Sequence, residues 1–292
     1  MTTTYTLETV QHAVQIGTKL GNSWFRGHDK KYENLTPKIF RSSYLDSVSE
    51  AIPKFERSVI EWFKNKAPVR TKTYPTPAES DYRQWLVLMQ HYHTPTRLLD
   101  WSADPLVALW FTVAGTDKRR EMCEPRDDGE LWALFPEQLN VTGADMFGLP
   151  VVGRTPELEY LVKKPYFPHS EHLVEDLGID APVQAPIAFH PRHRFTRMDV
   201  QASRFTIHPS PTRSSCSICD ILSDPKHLVR YVVPADCKTS IRRDLIRLGI
   251  TRDRLFPDFE GLSASINARA VTFDVAARPT DDPPTCGGPW RE

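Results

Sequence analysis

The sequence lacks any apolar run near the roughly 20 residues that a helix needs to cross a bilayer. It also lacks a signal-peptide pattern, because the chain begins Met-Thr-Thr-Thr-Tyr-Thr, without a basic start or an apolar stretch. No charge of one sign is in excess, since 37 Lys and Arg balance 37 Asp and Glu. We therefore predict a cytoplasmic protein without a membrane partner. The neutral balance disfavours a surface that coats long nucleic acid, although it leaves a local basic cleft open.

Cysteine is scarce, and patterns of metal ligands are missing. The five cysteines are odd in number and sparse, which favours reduced thiols over a disulfide framework. Cys216 and Cys219 form one Cys-x-x-Cys pair without a second, so a surface loop is the better interpretation. His91 and His93 have no third ligand at a suitable spacing. We therefore expect no metal.

The 292 residues have an ordinary globular composition, with 40% hydrophobic and 25% charged residues. Periodicity predicts helices within 45–66, 80–91 and 105–111, and strands within 23–27, 97–100, 130–135, 185–189, 204–208 and 228–233. Because these elements do not alternate regularly, we predict an α+β fold with mixed or antiparallel central sheets flanked by helices. One domain would cover residues 1–277. Residues 278–292, rich in Pro, Gly, Asp and Thr, would form a disordered tail.

Two of the predicted helices carry informative patterns. In the first, Phe55, Val59, Trp62 and Phe63 fall at helical spacing, with Glu56 on the other side. The third begins after Asp104-Pro105, an N-cap followed by proline at the first helical position. Its residues 106–111 are apolar on all sides, so we expect this helix to be buried.

Four ordered blocks resemble a known family. They are Trp24-Phe25-Arg26-Gly27-His28, then Gln90–Ser102 with the helix 105–111, then Arg197 with Gln201–Thr206, and finally Leu255–Leu262. The first resembles the segment that gives the FRG domain its name, and the others resemble that family's later blocks in the same order. On this resemblance the chain is identified as a member of the FRG domain family.

The blocks depart from the family pattern at three positions. His93 and Ser203 stand where the family commonly has glycine, and Ser102 stands for a frequent threonine. Because glycine alone adopts positive φ at little cost, positions 93 and 203 are where the backbone geometry would differ.

The order of the blocks is also similar, more loosely, to ADP-ribosyltransferase-like folds. Those folds place an arginine or histidine on a first strand, a Ser or Thr strand before a buried helix, and a late Glu or Gln. This likeness implies an ADP-ribosyltransferase-like fold, with catalytic roles for Arg26, Ser102 and Gln201. It implies NAD as the substrate, bound by Arg26, Gly27, His28, His93, Arg97, Trp101 and Phe205. Such an enzyme would modify a protein or nucleic acid, as a bacterial toxin or anti-phage defence effector with an antitoxin or defence-system partner.

The residues themselves allow a functional and a structural interpretation. Arg26 and His28 lie two apart on a predicted strand and would share a face, with Gly27 permitting close approach of a ligand or another backbone. Arg26 could clamp a diphosphate or form an ion pair, for which Asp100 is a candidate partner. Arg97 and Asp100 could pair with each other or with Arg26.

The next helix begins after Ser102 and Asp104. Its N-terminus could bind a phosphate or a carboxamide, while Ser102 or Asp104 caps it.

Gln201 raises a question about mechanism. Cleavage of the nicotinamide bond passes through a positively charged ribosyl state, which a carboxylate would stabilise more than a neutral amide. Glu260 could supply a carboxylate, although nothing local places it there. The alternative function is a non-catalytic module that binds a nucleotide or nucleic acid. A purely structural ion-pair network is the third interpretation.

Overall fold

The computed structural model describes residues 4–32, 35–41, 52–70, 76–114, 127–144, 155–167, 172–192, 195–210, 218, 227–259 and 261–266. The predictions made for Cys216, Cys219, Glu260 and the tail 278–292 lie outside these residues. Within them, no helix is both long enough and apolar enough to pass through a membrane.

Strands and helices follow one another irregularly along the chain. The strands are β1 (Thr4–Thr6), β2 (Trp24–His28), β3 (Leu98–Ser102), β4 (Gly129–Leu134), β5 (Ile187–Phe189), β6 (Ser203–Ile207) and β7 (Leu228–Val233). The helices are α1 (Val10–Leu20), a short 3-10 helix (Lys38–Phe40), α2 (Ile52–Lys66), α3 (Tyr82–His91), α4 (Pro105–Val113), α5 (Pro136–Ala144), α6 (Pro156–Lys163), α7 (Leu173–Leu177), α8 (Thr196–Val200), α9 (Ala235–Arg247) and α10 (Arg252–Leu255).

The strands form one seven-stranded sheet in the order β1-β7-β4-β2-β3-β6-β5. Only β1 and β7 pair in parallel, and the other neighbours are antiparallel. Helices pack against this sheet, and separate apolar clusters fill the space between the layers. The predicted α+β fold with a mixed sheet flanked by helices is therefore confirmed.

Strands β2 and β3 are neighbours over only one residue pair. Five pairs join β2 to β4, from Trp24↔Leu134 to His28↔Glu130. Five pairs also join β3 to β6, whereas β2 and β3 meet only at Phe25↔Ser102. The sheet thus consists of two well-paired parts that diverge beyond this single pair.

Helix α4 lies against β2 at very close range. A Cβ atom added to Gly27 would sit 1.9 Å from the backbone oxygen of Ala108, so only glycine permits this approach. The carboxylate of Asp104 accepts hydrogen bonds from the amides of Leu106 and Val107, and Pro105 occupies the first turn. The predicted cap and the predicted burial of this helix are both confirmed.

A buried ion pair links helix α2 to the start of β3. The Arg97 guanidinium donates to both carboxylate oxygens of Glu56, through Nε at 2.8 Å and through a terminal nitrogen, and it also donates to the His208 oxygen at 3.1 Å. Both side chains are 1% exposed. Pairing of Arg97 with Asp100 is therefore wrong, because residues three apart along an extended strand face opposite sides.

Helix α2 lies within the predicted range 45–66, but its faces are arranged differently from the prediction. Glu56 points inward, whereas Trp62 is 71% exposed. The reason is the need of Arg97 for a buried partner, since an unpaired buried charge costs several kcal/mol.

We expect Glu56→Gln to destabilise the fold by about 3–5 kcal/mol, because it leaves the Arg97 charge buried without a counter-charge. Urea unfolding measures the change. The matched control is Glu175→Gln, which removes a carboxylate whose side chain is 81% exposed and should cost at most about 0.5 kcal/mol. Equal losses in the two variants would contradict the structural role of the buried pair.

We also expect Gly27→Ala to cost roughly 2–3 kcal/mol or more, because the added methyl group must push α4 away from β2. Gly178 serves for comparison, since it has a φ of 64° and open space around its Cα. Gly178→Ala should cost only about 1–2 kcal/mol from its backbone conformation. Thermal unfolding that ranks Gly178→Ala as the more damaging change would refute the packing argument.

Candidate functional site

A cavity of about 230 Å³ lies beside the point where β2 and β3 diverge. Residues of β2, β3, β6, α3, α4 and α8 line it. Of the predicted site residues, the cavity brings together Arg26, Gly27, His93, Trp101, Ser102, Gln201 and Phe205. His28 and Arg97 are not among the lining residues, and Arg97 is held in its ion pair with Glu56.

Arg26 crosses the gap between the two diverging strands. One terminal nitrogen of its guanidinium donates to the backbone oxygen of Asp100 at 2.6 Å and lies 3.9 Å from the Asp100 carboxylate. Burial lowers the pKa of Arg26 to about 10, so the group keeps its charge at neutral pH. The side chain is 16% exposed, and the residue lines the cavity. A ligand can therefore reach a guanidinium that the protein already holds in place.

His28 holds the Arg26 side chain in place by a hydrogen bond and does not line the cavity. Its Nε2 accepts a hydrogen bond from Arg26 Nε at 2.9 Å, so the proton of a neutral ring must sit on Nδ1. That Nδ1 lies 3.8 Å from a carboxylate oxygen of Glu130, which is itself buried and paired with Arg230. Burial lowers the pKa of His28 to about 4. The structure thus places His28 behind Arg26, not at the surface of the cavity.

The polar groups of Ser102 and Gln201 are engaged within the protein. Ser102 Oγ donates to the backbone oxygen of Gln201 at 2.8 Å and accepts from the Asp104 amide at 2.9 Å. The Gln201 side-chain amide donates to the Leu255 oxygen at 2.9 Å. Because the Asp104 carboxylate occupies the Leu106 and Val107 amides, the start of α4 offers a phosphate fewer free donors than we expected.

Two residues beside the cavity adopt the left-handed backbone conformation. His93 has a φ of 58° and Ala202 a φ of 46°, and they are the non-glycine residues with positive φ in the described ranges. At the end of α3, the His93 amide donates to the Gln90 oxygen and the Thr94 amide to the Met89 oxygen. This pairing is the Schellman helix end, where glycine is usual. His93 therefore adopts a conformation that glycine takes at little cost, although it stands where the family commonly has glycine. Near the second such position, the residue with positive φ is Ala202 and not Ser203.

Two charged residues that line the cavity, Asp100 and Arg197, were not among the predicted site residues. Asp100 was considered only as an ion-pair partner, although its side chain is 55% exposed. Arg197 stacks over the Phe256 ring with its guanidinium carbon 4.3 Å from the centroid, and burial lowers its pKa. The alternation along β3 could have identified Asp100, because it shares a strand face with Ser102.

The two histidines of the cavity wall are uncharged at neutral pH. Burial, reinforced by the charge of Arg197, lowers the pKa of His91 to about 4 and also lowers the pKa of His93. The His91 ring stacks on Phe195 with centroids 4.2 Å apart. Arg26 and Arg197 therefore carry the positive charge of this wall.

Neutral His28 makes folding stability depend on pH. Its pKa is about 4 in the folded protein against an ordinary 6.5, so below pH 6.5 the unfolded chain binds a proton that the folded chain does not. Stability present above pH 6.5 is therefore lost as the pH falls towards 4, by on the order of 3 kcal/mol.

His28→Gln keeps a hydrogen-bond acceptor for Arg26 but cannot titrate. The wild type should therefore lose more unfolding free energy than this variant between pH 7 and pH 4. Urea unfolding at pH 7, 5.5 and 4 measures the difference. A difference that stays constant across this range would show that His28 is not the titrating group.

The family model of the FRG domain matches residues 21–121. This segment contains β2, α2, α3, β3 and α4, and with them Arg26, Asp100 and Ser102. Arg197 and Gln201 lie beyond it. No curated protein and no solved structure matches the chain. Residues 21–121, which build β2, β3 and α4, are therefore similar to the FRG domain family.

Proposed function

We propose that the protein is an ADP-ribosyltransferase-like enzyme, which binds NAD in the cavity and transfers ADP-ribose to a protein or nucleic acid. One observation carries the proposal. Arg26, Ser102 and Gln201 come from widely separated parts of the chain, and all three line the same cavity. Their elements, β2, β3 and the start of β6, are neighbours in the sheet. This arrangement agrees with the looser likeness to ADP-ribosyltransferase-like folds.

The charges of the cavity suit a dinucleotide. Arg26 and Arg197 offer two guanidinium groups, which bind phosphate oxygens well because their planar donors can form paired hydrogen bonds. Phe111 and Phe205 provide aromatic lining against which a flat ring can pack. The volume of about 230 Å³ falls below the range of about 300–1,000 Å³ usual for a whole ligand. We infer that the cavity takes one end of NAD and that the rest extends over its mouth.

In the proposed reaction, the bond between ribosyl C1′ and the nicotinamide nitrogen breaks. Its electron pair moves to the nicotinamide, which leaves as a neutral molecule, and positive charge develops on the ribosyl ring. A nucleophile of the acceptor then bonds to C1′ and loses its proton to solvent. The protein contributes by orienting the substrate and by stabilising the charge that develops.

A second candidate is a module that binds a nucleotide or nucleic acid without turnover. The observation in its favour is that Ser102 Oγ and the Gln201 amide already make hydrogen bonds inside the protein. Neither group is then fully available to a reacting ribose. The two candidates differ in one measurable property, the release of nicotinamide.

We expect NAD to bind in calorimetry, to release nicotinamide and to label macromolecules of a cell lysate. Arg26→Gln should weaken NAD binding roughly 10- to 100-fold, because a charge-assisted hydrogen bond contributes about 1.5–3 kcal/mol. Arg247→Gln is the matched control, since that side chain is 71% exposed on α9 and does not line the cavity. Its affinity for NAD should equal that of the wild type.

Thermal unfolding of both variants separates lost binding from lost folding. Saturating NAD without a heat signal, nicotinamide release or label transfer would refute the proposed enzyme. Binding without release of nicotinamide would favour the non-catalytic module.

A further inference from the structure

We propose that Asp100 is the catalytic residue whose carboxylate stabilises the positive charge on the ribosyl ring. This inference rests on the proposed function. It supplies the negative charge that the neutral side chain of Gln201 lacks. A developing cation in a partly enclosed site is stabilised most by a fixed negative charge. Among the described residues that line the cavity, Asp100 is the acidic one.

A chain of hydrogen bonds fixes the Asp100 carboxylate. Its Oδ2 accepts from the side-chain amide of Gln90 at 2.6 Å. The Gln90 oxygen in turn accepts from the Thr96 hydroxyl at 2.5 Å, and Thr96 Oγ1 accepts from the Leu98 amide at 3.1 Å. Because the Thr96 hydroxyl donates to the amide oxygen, the amide nitrogen is directed towards Asp100. The carboxylate is therefore oriented before any ligand arrives, which is what electrostatic stabilisation requires.

The neighbouring arginine makes only a long ion-pair contact with this carboxylate. Arg26 makes its short hydrogen bond to the backbone oxygen of Asp100, at 2.6 Å, and stays 3.9 Å from the carboxylate. Within the described part of the chain, Asp100 Oδ1 accepts no hydrogen bond, and the side chain is 55% exposed. One oxygen is thus free to bind a ribose hydroxyl while the other remains held by Gln90.

Asp100 also lies beside the residues that would bind the neighbouring parts of the substrate. It is paired across the ladder with Phe205 and shares a strand face with Ser102, so it sits above the aromatic lining of the cavity. Arg197 and His93 lie close enough to interact electrostatically with it. With the diphosphate on the guanidinium groups, the ribose next to it would reach the carboxylate.

In the step that Asp100 assists, the C1′–nitrogen bond breaks and its electron pair leaves with nicotinamide. The positive charge that remains is shared by C1′ and the ring oxygen. The Asp100 carboxylate keeps its charge throughout and forms no bond to C1′. The acceptor nucleophile closes the reaction, and its proton goes to solvent at the open side of the cavity.

The test compares Asp100→Asn with the wild type in the full-length protein. Asparagine keeps the shape and can accept from Gln90, but it removes the charge. We expect the rate of nicotinamide release at saturating NAD to fall roughly 100-fold or more, while the Kd for NAD changes less than about threefold. Asp244→Asn is the matched control, because Asp244 is a half-exposed acid of α9 remote from the cavity lining, and its rate should be unchanged.

A binding experiment isolates the charge from turnover. The probes are ADP-ribose and its analogue in which a protonated nitrogen replaces the ring oxygen of the terminal ribose. The wild type should prefer the cationic analogue, and Asp100→Asn should reduce that preference roughly 10-fold or more. Both proteins bind the diphosphate in the same way, so the ratio of the two affinities reports the carboxylate alone.

The outcomes separate the two proposals. Nicotinamide release at equal rates in the wild type and Asp100→Asn, or an unchanged preference for the cation, would overturn the role of Asp100 and leave the transferase standing. A wild type that neither binds nor cleaves NAD would remove the proposed function and this role together.

Discussion

The single ladder pair between β2 and β3 determines where the cavity lies. Beyond Phe25↔Ser102 the strands diverge, so the backbone groups that face the gap are no longer paired between β2 and β3. Buried backbone groups need partners, and Arg26 supplies one by donating to the Asp100 oxygen. The same side chain therefore closes part of the gap and presents its charge to the cavity. His28 behind it and Gly27 beside α4 maintain this position.

The sequence predicted the helices and strands, and which residues would lie near one another, better than it predicted which side chains would form hydrogen bonds and ion pairs. The β2 motif and the capped helix α4 were clear, since turn residues, caps and apolar runs are local signals. Gly27 was expected to admit a ligand or another backbone, and the structure shows the backbone of α4. Arg26 and Arg97 look alike in sequence. Glu56, on a helix 41 positions away, distinguishes them, and nothing local shows that it points inward.

The sequence indicated two positions near the cavity, 93 and 203, at which the backbone geometry would differ from the family's, and the structure has positive φ at His93 and Ala202. A left-handed conformation costs a non-glycine residue about 1–2 kcal/mol, and it persists only where the surroundings impose it. At His93 the helix end of α3 imposes it, and at Ala202 the turn into β6 does. A substitution pattern shows that a tight turn is near, but the register of the turn depends on the hydrogen bonds of the folded chain. The sequence pattern therefore does not determine which residue of the turn, Ala202 or Ser203, takes the positive φ.

The balance of charge connects these features. Burial keeps His28 neutral, and the buried charge of Glu130 is paired with Arg230 on the neighbouring strand. With His91 and His93 also neutral, two guanidinium groups and the Asp100 carboxylate leave one net positive charge around the cavity. NAD carries two negative charges on its diphosphate and one positive charge on its nicotinamide ring. In the proposed complex the guanidinium groups meet the diphosphate, and the Asp100 carboxylate meets the ribosyl ring on which positive charge develops, so the net charges of the site and of NAD are complementary.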